Sequence, residues 1–169
     1  MSTINPIGNA LKGVTGTGNF VGSNSPTITT PILVGVTDGS SAAFGDVGEF
    51  RDSNTSGPTA FSSSSSAQTF QTLSLDAGDW DVYGLFTFTN NGSTTTYTQS
   101  TLSLTTNALN TICSTASSSF SAIAVGQIGL FQFGRVSVST TTNIYLVGFA
   151  VYTVATPNGY GSITARRVR

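Results

Sequence analysis

The chain has 169 residues, a formal net charge of −1 and only 8% charged residues. The near-neutral charge gives no reason to expect a nucleic-acid partner, and 38% hydrophobic content is too high for a chain that stays unfolded. No long window repeats apolar residues at helical spacing. The composition therefore predicts an all-β protein whose abundant Ser and Thr lie on the solvated faces of strands.

Residues 1–36 differ from the rest of the chain, because Gly and Pro interrupt every candidate strand. Such a segment buries too little apolar surface to offset the cost of ordering its backbone. We predict an extended N-terminal attachment arm over 1–36 and a β-sandwich head domain over 37–169. The apolar residues of the arm would anchor it on a neighbouring surface: Val14, Phe20, Val21, Ile28, Ile32 and Leu33.

Two runs in the arm, 16–21 (GTGNFV) and 25–31 (SPTITTP), resemble a linker that recurs in bacteriophage tail-fibre proteins. The chain end, 160–169 (YGSITARRVR), resembles the terminus of a phage fibre-tip domain, and 73–82 (LSLDAGDWDV) fits the same pattern. This resemblance implies a homotrimeric, β-structured virion protein. The N-terminus lacks a basic segment followed by an apolar run, so we expect no secretory signal and synthesis in the host cytoplasm.

The segment 143–154 (NIYLVGFAVYTV) is the most apolar in the head and is rich in β-branched and aromatic residues. It is too short to cross a bilayer, which needs about 20 apolar residues. It predicts the central strand of an antiparallel, jelly-roll-like β-sandwich. One face carries Ile144, Leu146, Ala150, Tyr152 and Val154. Because the opposite face is also apolar, we expect it to form the subunit interface of a homotrimer through Tyr145, Val147, Phe149 and Val151.

Including the segment 143–154, and apart from short strands around three phenylalanines, the pattern predicts about eight strands at short spacing. Residues 80–88 are the next strongest, with Trp80, Val82, Phe86 and Phe88 on a core-facing side. The other strands are expected around Phe44, Phe50 and Phe61 and over 70–75, 97–104, 122–125, 128–133, 136–139 and 160–168.

The chain contains no histidine, which removes the usual general base and the commonest metal ligand. The single cysteine, Cys113, has no partner to activate it and is expected to be a buried structural thiol. We therefore predict no enzymatic activity and no cofactor.

Asp76, Asp79 and Asp81 form the only acidic cluster in the sequence. Asp79 and Asp81 fall on the same face of a strand, roughly 6–7 Å apart. Glycosidase carboxylates must instead flank a bond, and the spacing does not match a calcium-binding EF-hand loop. We predict no metal site, although the sequence leaves a calcium ion near Asp79 and Asp81 open. The favoured interpretation is an exposed acidic edge that pairs with Arg135 or with the terminal arginines of the same or another subunit.

These patterns favour a phage virion structural protein, a trimeric tail fibre or its tip, whose arm binds other virion proteins. The head would contact a host surface glycan or protein through loops at 62–66, 90–96 and 114–119. The candidate receptor-binding residues are Asn90, Asn91, Ser93, Thr95 and Tyr97. The alternative is a capsid decoration or head-fibre protein that stabilises the particle, favoured by an arm that begins at Met1. A small depolymerase is disfavoured by the missing histidine.

Overall fold

The computed structural model of the protein describes residues 40–55, 57–110, 116–123 and 127–168. Within these residues it contains nine strands and no helix, so the all-β prediction is confirmed. The predicted arm with its six anchors, and Cys113, lie outside the described residues. The strands are β1 (Phe50–Asn54), β2 (Thr59–Ala60), β3 (Ser66–Leu75), β4 (Gly78–Thr89), β5 (Thr94–Ser103), β6 (Ala116–Ile123), β7 (Gln127–Val138), β8 (Thr142–Thr153) and β9 (Asn158–Arg167).

The nine strands form two antiparallel sheets. The first sheet has the order β1-β9-β4-β7, with the short strand β2 also paired to β9. The second sheet has the order β3-β8-β5-β6. Neighbours within each sheet are mostly distant in sequence, so the chain crosses repeatedly between the sheets.

The two strongest strand predictions are confirmed. In β4, Trp80, Val82, Phe86 and Phe88 are all buried, as their spacing predicts. The predicted central strand is β8, which pairs with β3 on one side and β5 on the other. Val154 differs from the prediction: it lies in the turn after β8 and is 92% exposed, with a φ of 76°.

The hydrophobic core draws side chains from both sheets. An aromatic cluster links them: Phe70 on β3 lies 5.0 Å from Phe86 on β4, and Phe61 lies 4.8 Å from Phe70, between ring centroids. A buried hydrogen bond also connects the two sheets: the Gln132 amide on β7 donates to the Ser100 hydroxyl on β5. The other buried apolar residues are Leu73, Leu75, Trp80, Val82, Phe88, Leu102, Leu130, Ile144, Leu146, Ala150, Ile163 and Ala165.

We call the end that holds residues 40–49, 76–77 and 139–141 the base of the head. There Arg51 contacts Asp76 at 2.7 Å, and the Thr141 hydroxyl donates to the same carboxylate at 2.9 Å. The strands β4 and β8 begin at the base, and β9 ends there.

We call the opposite end, with residues 61–65, 90–93 and 154–157, the apex. Its loops are joined by hydrogen bonds: the Asn91 amide donates to the Thr156 carbonyl at 3.3 Å, and the Phe61 N–H donates to the Pro157 carbonyl at 3.1 Å. Three connections, at 61–65, 90–93 and 154–157, therefore lie together at one end of the described head.

Three strand predictions need correction. The segment predicted as two strands, 128–133 and 136–139, is the single strand β7, because Gly134 continues the pairing opposite Val82. The strand predicted at 122–125 is β6, which starts at Ala116 because the serine-rich run pairs with β5. Phe44 lies in a turn rather than a strand, with the Arg51 guanidinium 5.0 Å from its ring centroid.

Candidate functional site

A buried ionic cluster holds the base together around Glu49, the only glutamate of the chain. Glu49 is 4% exposed and accepts hydrogen bonds from Arg51 Nε at 2.8 Å and Arg167 Nε at 2.9 Å. The Gly45 N–H donates to the same carboxylate at 2.8 Å. The Arg167 guanidinium also stacks on Trp80, 4.3 Å from the ring centroid. The Glu49 carboxylate is bonded to two arginines of the same chain, so the cluster has a structural role.

Opposing effects set the pKa of the Glu49 carboxyl. Burial raises it, but the hydrogen bonds from Gly45, Arg51 and Arg167 and the charge of Arg51 outweigh burial. The pKa of Glu49 is therefore lowered, and the carboxylate is charged at neutral pH.

The location of Arg167 corrects a prediction. Its place near the chain end predicts a solvated or subunit-bridging arginine, but its side chain is buried and donates to Glu49 and to the Ala77 carbonyl at 2.6 Å. The alternation of β9 turns it inward, whereas its neighbour Arg166 is exposed.

The predicted pairing of the acidic edge with Arg135 is confirmed for Asp79, but the predicted exposure is wrong there, because Asp79 is buried beneath its partners. Arg135 donates to both carboxylate oxygens of Asp79, at 3.0 Å and 2.7 Å, and the Ser137 hydroxyl adds a bond at 3.0 Å. The hydrogen bond to Asp79 raises the pKa of Arg135. Among the described residues, no three Asp, Glu, Cys or His side chains are grouped to hold a metal ion.

The predicted receptor-binding residues divide into buried and exposed groups. Asn90, Ser93 and Thr95 are buried. The side-chain oxygen Oδ1 of Asn90 accepts hydrogen bonds from the Ser93 and Thr95 hydroxyls. Asn91 is exposed at the turn, and Tyr97 is half-buried, with its hydroxyl donating to Gln99 at 2.9 Å. The surface that this loop offers at the apex is therefore centred on Asn91.

Of the other two predicted binding loops, the one at 114–119 is wrong for its described part, because residues 116–119 pair with β5 and belong to strand β6. Residues 62–65 are exposed at the apex, whereas residue 116 begins β6, whose first pairs lie toward the base. Two of the three loop predictions thus share one end.

The predicted subunit interface lies on the outward face of β8. Tyr145, Phe149 and Val151 are half-buried there, but Val147 has no exposed surface in the single chain. The connection after β5 passes beside it: Asn107 exchanges hydrogen bonds of 2.7 Å and 2.8 Å with Thr69, the register partner of Val147 on β3. The connection after β5 therefore covers part of the β8 face that the sequence predicts to be covered by a neighbouring subunit.

The most exposed aromatic surface of the described sheets lies elsewhere, on the outward side of the first sheet. We call it the aromatic face, and it consists of Tyr83 and Leu85 on β4 with Phe131 and Phe133 on β7. The exposed fractions are 49% for Tyr83, 74% for Phe131 and 50% for Phe133, and Leu85 is half-buried. The Tyr83 and Phe133 rings lie 4.9 Å apart between centroids.

The aromatic face is not among the surfaces predicted from the sequence, although a signal for it is present there. In 127–138 the phenylalanines alternate with Leu130 and Gln132, so both faces of this strand also carry large side chains. No protein-family model matches the chain, and no curated protein sequence matches it significantly. No helix among the described residues is long and apolar enough to cross a membrane.

Proposed function

We propose that this chain is a structural protein of a bacteriophage virion, a homotrimeric tail fibre or fibre tip. Residues 1–36 would dock as an arm onto other virion proteins, and residues 37–169 would form the head that binds the host surface. The resemblance of 16–21, 25–31 and 160–169 to phage tail-fibre sequences supports this assignment. The role proposed is adhesive and structural, without catalysis or a cofactor.

The proposed head is a β-sandwich with jelly-roll-like topology. The core cluster supports face-to-face packing, because Phe70 on β3 and Phe86 on β4 come from different sheets. The strand orders support the topology, since each sheet interleaves early and late strands of the chain.

The observation that carries the proposed function is the separation of the two ends of the head. The segment before β1 lies at the base, where the Ser41 hydroxyl accepts a hydrogen bond from the Phe50 N–H at 3.1 Å. The exposed residues 62–65, Asn91 and Thr156 lie at the apex. A domain held at its base would leave these polar residues directed away from its attachment point, which suits contact with a host cell.

The apex is suited to hydrogen bonding with surface sugars. Its exposed serines, together with Asn91 and Thr156, supply short polar side chains that lose little rotamer freedom when they bind. We therefore propose a host glycan as the contact, with a host surface protein as the other source of the same polar chemistry.

Competition for host cells tests this function. The isolated full chain should reduce phage adsorption, and the S63R/T156R variant should lose that effect because two arginines obstruct the apex. The matched control is S139R/T140R, which places the same charges on exposed residues at the base and should compete like the wild type. Equal competition by both variants would contradict an apical contact.

Location within the particle tests the assignment to the tail. Cryo-electron microscopy of the virion should show a few copies at the tail. Many copies distributed over the capsid would contradict the tail location and identify a decoration protein instead.

A further inference from the structure

The sequence contains two Asn-Gly pairs, Asn91-Gly92 and Asn158-Gly159. Because glycine has no Cβ, its backbone nitrogen can approach the side-chain amide of the preceding asparagine without steric hindrance. The first pair lies in the turn between β4 and β5, and the second lies in β9. One chain therefore places the same reactive pair in two different environments.

The first pair forms the exposed tip of its turn. Asn91 and Gly92 are both exposed and have positive φ angles of 49° and 77°. The turn is closed by the Ser93 N–H, which donates to the Asn90 carbonyl at 2.8 Å, so this hydrogen bond does not use the Gly92 N–H. A Cβ placed on Gly92 would meet nothing within 4 Å beyond its chain neighbours. The pair can therefore rotate without displacing packed side chains.

The second pair is fixed within the first sheet. Asn158 and Gly159 pair with β4 on one side and with β2 on the other. Gly159 is buried, and a Cβ placed on it would lie 2.7 Å from ring atoms of both Phe70 and Phe86. Rotation of this pair requires β9 to separate from both neighbouring strands.

We propose that Asn91 is a site of spontaneous deamidation in the folded protein, with water as the co-reactant. The Gly92 nitrogen loses its proton to solvent and attacks Asn91 Cγ. The new C–N bond closes a five-membered succinimide ring, and the Cγ–Nδ2 bond breaks to release ammonia. Water then opens the ring at one of its two carbonyl carbons and leaves aspartate or isoaspartate. Ring closure requires rotation about the Asn91 Cα–C bond, which a locally opening turn permits.

The product changes the chemistry of the apex. In the unmodified protein the Asn91 amide donates to the Thr156 carbonyl at 3.3 Å. A carboxylate has no proton to donate at neutral pH, so deamidation removes this link between the loops 90–93 and 154–157. It also adds a negative charge to a surface of neutral polar side chains. The inference goes beyond the proposed function and does not depend on the virion assignment.

Peptide mass spectrometry of the full chain tests the inference. After incubation at mildly alkaline pH below the melting temperature, chymotrypsin should release 89–97 (TNNGSTTTY) and 153–160 (TVATPNGY), one for each pair. The mass gain of an amide converted to a carboxyl should accumulate in 89–97 at least about tenfold faster than in 153–160, because an exposed turn opens more readily than a strand paired on both sides. Fragmentation of the first peptide should locate the change at Asn91 rather than Asn90.

Two controls separate the effect of the fold from that of the sequence. In urea the pairing of β9 is lost, so both peptides should be modified at similar rates. In Asn91→Gln the longer side chain would have to close a six-membered ring, so 89–97 should stay unmodified while the fluorescence of the buried Trp80 shows that the fold is retained. Equal modification of the two peptides in the folded protein would overturn the inference. An Asn91 that stays intact in the folded protein for a time that modifies it in urea would also overturn it. Neither measurement involves host cells or particle location, so the proposed function is tested separately.

Discussion

Glu49 accepts a 2.9 Å hydrogen bond from Arg167, although the two residues are 118 positions apart in the sequence. The pair joins the segment before β1 to the end of β9. Both side chains are almost completely buried, and Arg167 also covers the face of Trp80. Removing one member of a buried ion pair is costly, because the remaining charge stays buried without its partner.

The first prediction concerns the loss of this charge. Glu49→Gln should lower the free energy of unfolding by about 3 kcal/mol, because Arg51 and Arg167 then face a neutral amide. Urea denaturation followed by Trp80 fluorescence measures the change. The control is Asp52→Asn, which neutralises an exposed carboxylate on β1 and should change stability by less than about 0.5 kcal/mol. Equal effects of the two substitutions would contradict a special role for Glu49.

The second prediction concerns acid. The pKa of Glu49 lies below its ordinary value of 4.5 in the folded protein, so the unfolded chain takes up the proton first as the pH falls. The stabilisation by Glu49 is therefore complete above pH 4.5 and is lost as the pH falls through the folded pKa. Between pH 6 and pH 3, wild-type stability should fall more steeply than that of Glu49→Gln. Parallel urea-unfolding curves for the two proteins over this range would contradict the prediction.

Local pattern predicted the long strands because their signal lies within one segment. In β4, four large apolar residues alternate and leave no competing helical interpretation. The strand β6 was placed too late because Ser117, Ser118 and Ser119 resemble a loop, and only pairing with β5 makes them a strand. The residues of the segment alone do not predict such long-range pairing.

The ion pairs and the aromatic face also depend on which strands become neighbours. Pairing of Asp79 with Arg135 could be predicted as one alternative because few opposite charges are available to an acidic edge. The partnership of Glu49 with Arg167 could not be predicted, since it depends on β1 lying beside β9. The aromatic face likewise required the register that brings Tyr83 beside Phe133.

The third prediction compares two strand glycines of the first sheet. A methyl group at Gly161 would collide with the Leu85 carbonyl oxygen and lie 2.5 Å from Leu146 Cδ2. Gly161→Ala should therefore destabilise the protein by about 3 kcal/mol. At Gly129 the nearest atom would be Leu85 Cδ1 at 3.6 Å, an ordinary contact. Gly129→Ala should be neutral or stabilising by about 0.5 kcal/mol, since alanine restricts the unfolded chain. Thermal unfolding distinguishes them, and similar melting temperatures would refute the close approach at Gly161.

The fourth prediction separates the buried and exposed residues of the β4–β5 turn. Asn90→Ala should lower the free energy of unfolding by about 2 kcal/mol, because the buried Ser93 and Thr95 hydroxyls lose their shared acceptor. Asn91→Gly should change it by less than about 0.5 kcal/mol: it removes one exposed hydrogen bond to Thr156 but relieves a backbone φ of 49°. Urea denaturation of both variants measures the difference. A larger loss for Asn91→Gly than for Asn90→Ala would show that the exposed residue, rather than the buried trio, fixes this turn of the apex.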